Sequence, residues 1–264
     1  MTVPSNSLKK SLKSCCLLLL LSVATGGCCI AVNVKLAIAT PYVNDHVDCL
    51  RLTDRDPQQA YRQAQRWRVD GGGLMARHCA AIALAALDRL DEAASRLQRL
   101  ATEVNDIEMA RAWLAQAGQL WFLAGRLKTA ETIQAEILKQ EPNNPDFIVD
   151  RASTRLASGN FSGAVDDFSK ALQRDPARVE ALLYRAVAYR YMDALDLAHA
   201  DIEQAKAIAP HRADIWLERG ILRQLHGNLD RAREDFLKAL SLTDDPDILE
   251  AIRGRIELMD LSRG

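Results

Sequence analysis

A spacing of 34 residues, kept without a gap through three consecutive steps, constrains this chain more than any other feature. Counted from Arg111, the twentieth place of each step holds Ala130, Ala164, Ala198 and Ala232. The eighth place holds Gly118, Ala152, Ala186 and Gly220, and the twenty-seventh holds Ile137, Ala171, Ala205 and Ala239. At the fifteenth stand Gly125, Gly159, Asp193 and Gly227, and at the thirty-second Pro142, Pro176 and Pro210; the last step has Asp244 there and Pro246 two residues on. A period of this length marks a stack of similar supersecondary units, and each place has a physical task. Two antiparallel helices approach closely only where side chains are small, so the eighth and twentieth places read as the crossing point of a helical hairpin. Gly or Asp at the fifteenth suits a turn that needs positive φ. Phe168, Ile202 and Phe236 put large apolar groups at the twenty-fourth place, with Gln134 as the exception. Proline at the thirty-second ends the second helix, because it lacks an N–H and clashes with the preceding turn.

The pattern resembles the tetratricopeptide repeat family, most clearly in Trp216, Gly220, Gly227, Ala232, Phe236 and Ala239. The resemblance implies an all-α fold, a right-handed α-solenoid of antiparallel helical hairpins, with about five hairpins over 74–246. Composition agrees with it. Aromatic residues are 5% of the chain, and Gly and Pro number 13 and 8, so the core is expected to be built from Ala, Leu and Ile. The first hairpin begins near Leu74, with Ala81 at the eighth place and Ala93 at the twentieth. Residues 40–73 read as an N-terminal helical segment: a lone second helix from Pro57 to Trp67, then a flexible break at Gly71-Gly72-Gly73. Residues 247–264 form a C-terminal capping helix, starting from Pro246, with Gly254 at an eighth place and Glu250, Arg253, Arg255 and Glu257 on its exposed side. A polar end is what a solenoid requires, since its last unit has no neighbour.

The first 39 residues read as a leader. Lys9, Lys10 and Lys13 precede an apolar run from Cys15 to Ala24, the basic and apolar regions of an export signal. Ala37-Ile38-Ala39 offers a cleavage site with Thr40 as the new N-terminus. Lipidation at Cys28 and retention of 15–39 as a membrane anchor are the alternatives. The expected location is therefore the periplasm or cell envelope. Cleavage leaves Cys49 and Cys79, which in an oxidising compartment read as a disulfide; two separate buried thiols are the other reading.

The chain shows no catalytic motif. His46, His78, His199, His211 and His226 are scattered, no P-loop follows the glycines, and 40–73 and 247–264 are too short for a catalytic domain. A metal site from His46, Cys49, His78 and Cys79 has the wrong ligand spacing, so no metal or cofactor is expected. Asp166-Asp167 and Asp244-Asp245 read as solvated pairs at helix ends. No run of Lys and Arg follows the leader, which argues against nucleic acid as a partner. The resemblance implies instead a non-catalytic scaffold that holds a protein or peptide in a concave groove. Carried over from the family, the groove places are the second, fifth, ninth, twelfth and thirteenth, which selects Phe122, Leu123, Val149, Leu156, Leu183, Val187, Arg190, Tyr191, Leu217, Ile221 and Gln224. Ala115 and Gln119 stand where one family subtype has the Lys and Asn that clamp a C-terminal carboxylate, so that mode is not expected. A second reading is an accessory subunit or chaperone of an envelope assembly, lipid- or membrane-tethered, with residues 40–56 filling its groove. Protein isolated from its native host is expected to begin at Thr40; an intact mass that includes 28–39 with lipid, or all of 1–264, excludes cleavage there.

Overall fold

The computed structural model describes residues 45–261, and the leader 1–39, with Cys28 and Thr40, lies outside them. Among the described residues there are thirteen α-helices and no strand. They divide into two compact units, with the chain passing from one to the other between Ala124 and Gly125.

The first unit contains α1 (His46–Arg55), α2 (Pro57–Val69), α3 (Gly73–Ala86), α4 (Leu90–Glu103) and α5 (Ile107–Leu123). Three of these five helices start at a capping aspartate. Asp45, Asp56 and Asp106 accept backbone N–H groups at the starts of α1, α2 and α5, and Pro57 sits in the first turn of α2, where its missing N–H costs nothing. Helix α2 is not alone: it packs along α3, and α1 packs against both. The three glycines at the junction of α2 and α3, the last of them the first residue of α3, form a tight turn rather than a flexible break. Gly71 and Gly73 have φ of 95° and 55°, and the Gly72 N–H donates to the Trp67 carbonyl at 2.8 Å. A Cβ on Gly72 would lie 2.6 Å from the Trp67 indole nitrogen, so the ring closes over the turn. One core cluster joins Cys49, Ala64, Cys79 and Ala80 under Leu52, Tyr61 and Trp67; a second joins Ala81, Leu97, Leu100, Trp113 and Ala117.

The second unit contains α6 (Leu127–Gln140), α7 (Pro145–Ala157), α8 (Phe161–Arg174), α9 (Val179–Tyr191), α10 (Leu195–Ile208), α11 (Ala213–Leu225), α12 (Leu229–Leu240) and α13 (Pro246–Leu261), each packed on the next. The marks of the 34-residue period fall where the physical argument puts them. Ala130, Ala164, Ala198 and Ala232 are fully buried, as are Ala152 and Ala186 opposite. Gly125, Gly159, Asp193 and Gly227 have φ between 59° and 82°, and Asp88 does the same task in the first unit at 61°. Helices α6, α8 and α10 stop two residues before Pro142, Pro176 and Pro210. The residue in front of each proline is pushed to an extended φ, −125°, −134° and −131°, because the proline ring excludes the helical region there. Even the exception packs, since Gln134 is 4% exposed.

The end of the chain departs from the period. Gly254, expected at a close crossing, is exposed, and a Cβ there would meet nothing within 4 Å. No second helix follows α13 among the described residues to cross it. Arg255, expected on the outer side, is half-buried and reaches Gln224. Gly220 is the contrasting case: a Cβ there would come within 2.4 Å of the Phe236 ring, which is itself fully buried. Gly220→Ala is expected to destabilise by about 1–3 kcal/mol through overpacking, whereas Gly254→Ala is expected to stabilise by roughly 0.5–1 kcal/mol through helix propensity. Denaturant midpoints of the two variants test the pair, and equal shifts would mean that the crossing is not close.

Candidate partner-binding site

The second unit holds its hairpins in register with a repeated ion pair. Arg151, Arg185 and Arg219 occupy the seventh place of three successive steps, and Asp167, Asp201 and Asp235 the twenty-third. Each pair is bidentate, at 2.8 and 2.9 Å, 2.7 and 2.7 Å, and 3.0 and 2.5 Å, and the three carboxylates are buried. Two of the arginines also reach the preceding second helix: Arg185 donates to Ser169 Oγ at 3.0 Å and Arg219 to Glu203 at 3.2 Å. A further cation meets two of the carboxylates, Arg155 on Asp167 and Arg223 on Asp235, both at 2.8 Å. Such pairs give little net stability, because desolvation offsets the attraction, but the fork fixes one angular relation between the two helices. Asp167 is thus not solvated, and it lies mid-helix in α8, while its neighbour Asp166 is exposed. Asp245 is a capping residue that accepts from the N–H groups of Asp247 and Ile248.

Burial sorts the expected groove residues. Phe122, Val149, Leu156, Leu183 and Ile221 are at most 7% exposed and belong to the core, so they offer a partner no surface. The apolar places of a first helix face the next helix as well as the groove, and in these five the core contact wins. Leu123, Val187, Arg190, Tyr191, Leu217 and Gln224 keep partial exposure.

Three of those six are brought together with residues that the sequence reading left out. Arg190 of α9 forms an ion pair with the buried Glu218 of α11. Its guanidinium also lies 4.6 Å from the Tyr191 ring centroid. Tyr191 stacks on Phe161 of α8, with centroids 4.7 Å apart and planes at 3°. Gln224 of α11 accepts from Arg255 of α13 at 3.3 Å. Burial works against the charge of Arg190, but Glu218 outweighs it and holds the group above the usual arginine range. Arg255 goes the other way: burial first, then the like charge of Arg190, push it below that range, and Glu218 and Tyr191 only partly compensate. No carboxylate among the described residues forms an ion pair with it. The patch therefore offers one cation paired with a carboxylate, one cation hydrogen-bonded to a neutral amide, and a stacked aromatic pair. The family's groove places pointed to Arg190, Tyr191 and Gln224, but Arg255 looked like the polar face of an end helix.

In the first unit, Cys49 of α1 and Cys79 of α3 are bonded, with Cα atoms 6.1 Å apart. Residues 46–55 are thereby engaged with α2 and α3. Beside the bond, His46 Nε2 lies 2.9 Å from His78 Nδ1, and His78 Nε2 lies 2.9 Å from Gln116 Oε1. With its proton on Nε2 for Gln116, His78 accepts at Nδ1 from His46. Its ring also stacks on Trp113 at 5.1 Å. These histidines and cysteines are spent on a disulfide and a hydrogen-bonded relay, and no group of three metal-ligating side chains occurs among the described residues. Burial lowers the pKa of His78 from 6.5 to about 4, and burial lowers His46 as well.

Residues 149–191 match the sequence model of the tetratricopeptide repeat family. The mouse protein O-mannosyl-transferase TMTC1 is 25% identical over 146 residues, which is 54% of this chain and 16% of that protein, so the chain spans a small part of its relative. Among solved structures, a tetratricopeptide repeat protein from Parabacteroides merdae superposes with a TM-score of 0.62 at 18% identity, covering 94% of this chain and 90% of that one. YrrB, described as a tetratricopeptide repeat protein with an unusual peptide-binding site, gives 0.51 at 16% identity, covering 73% and 97%. These likenesses support the repeat family and establish the helical-hairpin solenoid fold.

The histidine relay makes a pH prediction. Between pH 6.5 and 4 the unfolded chain binds a proton that folded His78 does not, so stability falls as pH drops through that window. The full loss is roughly 3 kcal/mol. Thermal midpoints at pH 7 and 4.5 should differ more in the wild type than in His78→Gln, and equal slopes would remove His78 as the cause.

Proposed function

We propose that this chain is a non-catalytic interaction scaffold of the cell envelope, whose second unit holds a partner peptide or helix at the patch formed by Arg190, Tyr191, Gln224 and Arg255. The observation that carries the reading is Arg255. A half-buried guanidinium whose hydrogen bond goes to a neutral amide, with no ion-paired carboxylate among the described residues and a second guanidinium beside it, is unfavourable in the isolated chain. An acidic side chain of a partner would complete it, as Glu218 completes Arg190. The Tyr191–Phe161 stack offers a rigid aromatic surface next to that charge, the combination in which binding energy concentrates. The fold supports a binding role, and a structure of the same fold is described as having a peptide-binding site.

The envelope location rests on the leader 1–39, outside the described residues, and is favoured by the Cys49–Cys79 bond, since disulfides persist in oxidising compartments. No helix among the described residues is long and apolar enough to cross a membrane; Cys28 and 15–39 are the tethering points that the sequence offers. The accessory-subunit reading, with 40–56 as its own groove filler, is less favoured because 46–55 already forms α1 on α2 and α3.

Tyr191→Ala and Arg255→Ala are each expected to weaken capture of the main partner from envelope extract by about tenfold or more, with unchanged helicity. Phe122→Ala, a core change at 5% exposure, should lower stability instead. Full capture by both patch variants, with circular dichroism matching wild type, would exclude this patch as the interface.

A further inference from the structure

The first unit contains a cavity of about 280 Å³ at the meeting of α2, α3 and α4. Its floor is apolar, Ala80 and Leu100, both nearly inaccessible. The other lining residues are Gln65 and four arginines: Arg68 from α2, Arg77 from α3, and Arg96 and Arg99 from α4. These arginines lie 31 positions apart at the extremes and form no basic run, so folding alone gathers them.

The four are not equally occupied. Arg77 is held by Glu103 through both of its terminal nitrogens. Arg96 is held by Glu92 at 2.8 Å, with the Tyr61 hydroxyl at 3.3 Å. Arg99 feels Glu103 across one helical turn, but that carboxylate is already engaged by Arg77. Neither Arg68 nor Arg99 has a hydrogen-bonded or ion-paired side-chain partner among the described residues, and both are exposed at the cavity edge. Four cations against two carboxylates leave two positive charges facing one small concavity.

We propose that this cavity is a binding site for a phosphate-type dianion, free or as a phosphate monoester. Two uncompensated guanidinium forks match two negative charges, which a single carboxylate does not supply. Forks arriving from separate helices suit a tetrahedral anion with acceptors on several sides, where a planar group would satisfy only one. The apolar floor leaves space for a small group esterified to the phosphate. The site lies within the first unit and is independent of the patch on the second.

The test is isothermal titration of the full mature chain with inorganic phosphate at pH 7.5 and fixed ionic strength, with acetate as the monoanion control. Saturable phosphate binding, absent with acetate and at least tenfold weaker in the Arg68→Gln/Arg99→Gln double variant, is the expected result. Both residues are exposed, so the variant should fold, and circular dichroism verifies it. A second arm, co-sedimentation with phosphatidic acid vesicles against phosphatidylcholine vesicles, separates a lipid headgroup from a soluble phosphate as the source. If neither inorganic phosphate nor phosphatidic acid is bound, or if the double variant binds as wild type does, the proposal is overturned.

Discussion

Where Gly220 faces Phe236 there is no room for a methyl group, and where Ala198 crosses the first helix of its hairpin no surface is left exposed. This closeness of two helix backbones is the constraint on which the other features of the second unit rest. It sets the distance between the helices of a hairpin, and so decides which side chains can span that distance. A phenylalanine or isoleucine at the twenty-fourth place fills the gap beside the crossing, and burying each such side chain contributes about 1.5–3 kcal/mol. The turn must also reverse the chain within a few residues, which forces the left-handed backbone at the fifteenth place.

The buried Arg–Asp pairs depend on the same closeness. Only helices held this near allow a guanidinium on the first to meet a carboxylate sixteen residues later with both nitrogens. Small residues alone would let two helices slide or rotate against one another, and a bidentate pair penalises either motion. In two steps the arginine also grips the previous second helix, so one side chain ties a hairpin internally and to its neighbour. The step from Arg111 lacks the device, having Ala117 and Ile133 at these places. Its residues divide between the two compact units of the chain.

Charge has a different function where it is not internally matched. The buried carboxylates are ion-paired, but among the described residues Arg255 in the second unit and Arg68 with Arg99 in the first form no ion pair with a carboxylate. A chain with a formal net charge of −1 has enough acid to neutralise them and has folded so that it does not. That is the physical basis for reading both places as sites for an external anion, acidic peptide in one case and phosphate in the other.

The sequence by itself determined the unit of the fold, because the period fixes small residues, turn residues and prolines by steric rules that act over a few residues. It also held the signal of the Arg–Asp ladder, an arginine followed sixteen places later by an aspartate in three successive steps, although apolar and turn marks alone do not expose it. Through the family resemblance, which supplied the groove places, it also pointed to Arg190, Tyr191 and Gln224. The tertiary structure decided the rest. Phe122 and Leu156 lie in the core, not in a groove, because a helical face is shared between a neighbour and solvent, and only packing divides it. Gly71 to Gly73 became a closed turn because Trp67 covers it, a contact that the composition of the segment does not contain. Arg255, Arg68 and Arg99 gained their meaning from residues on other helices, and electrostatic energy depends on distances in space that separation along the chain does not encode.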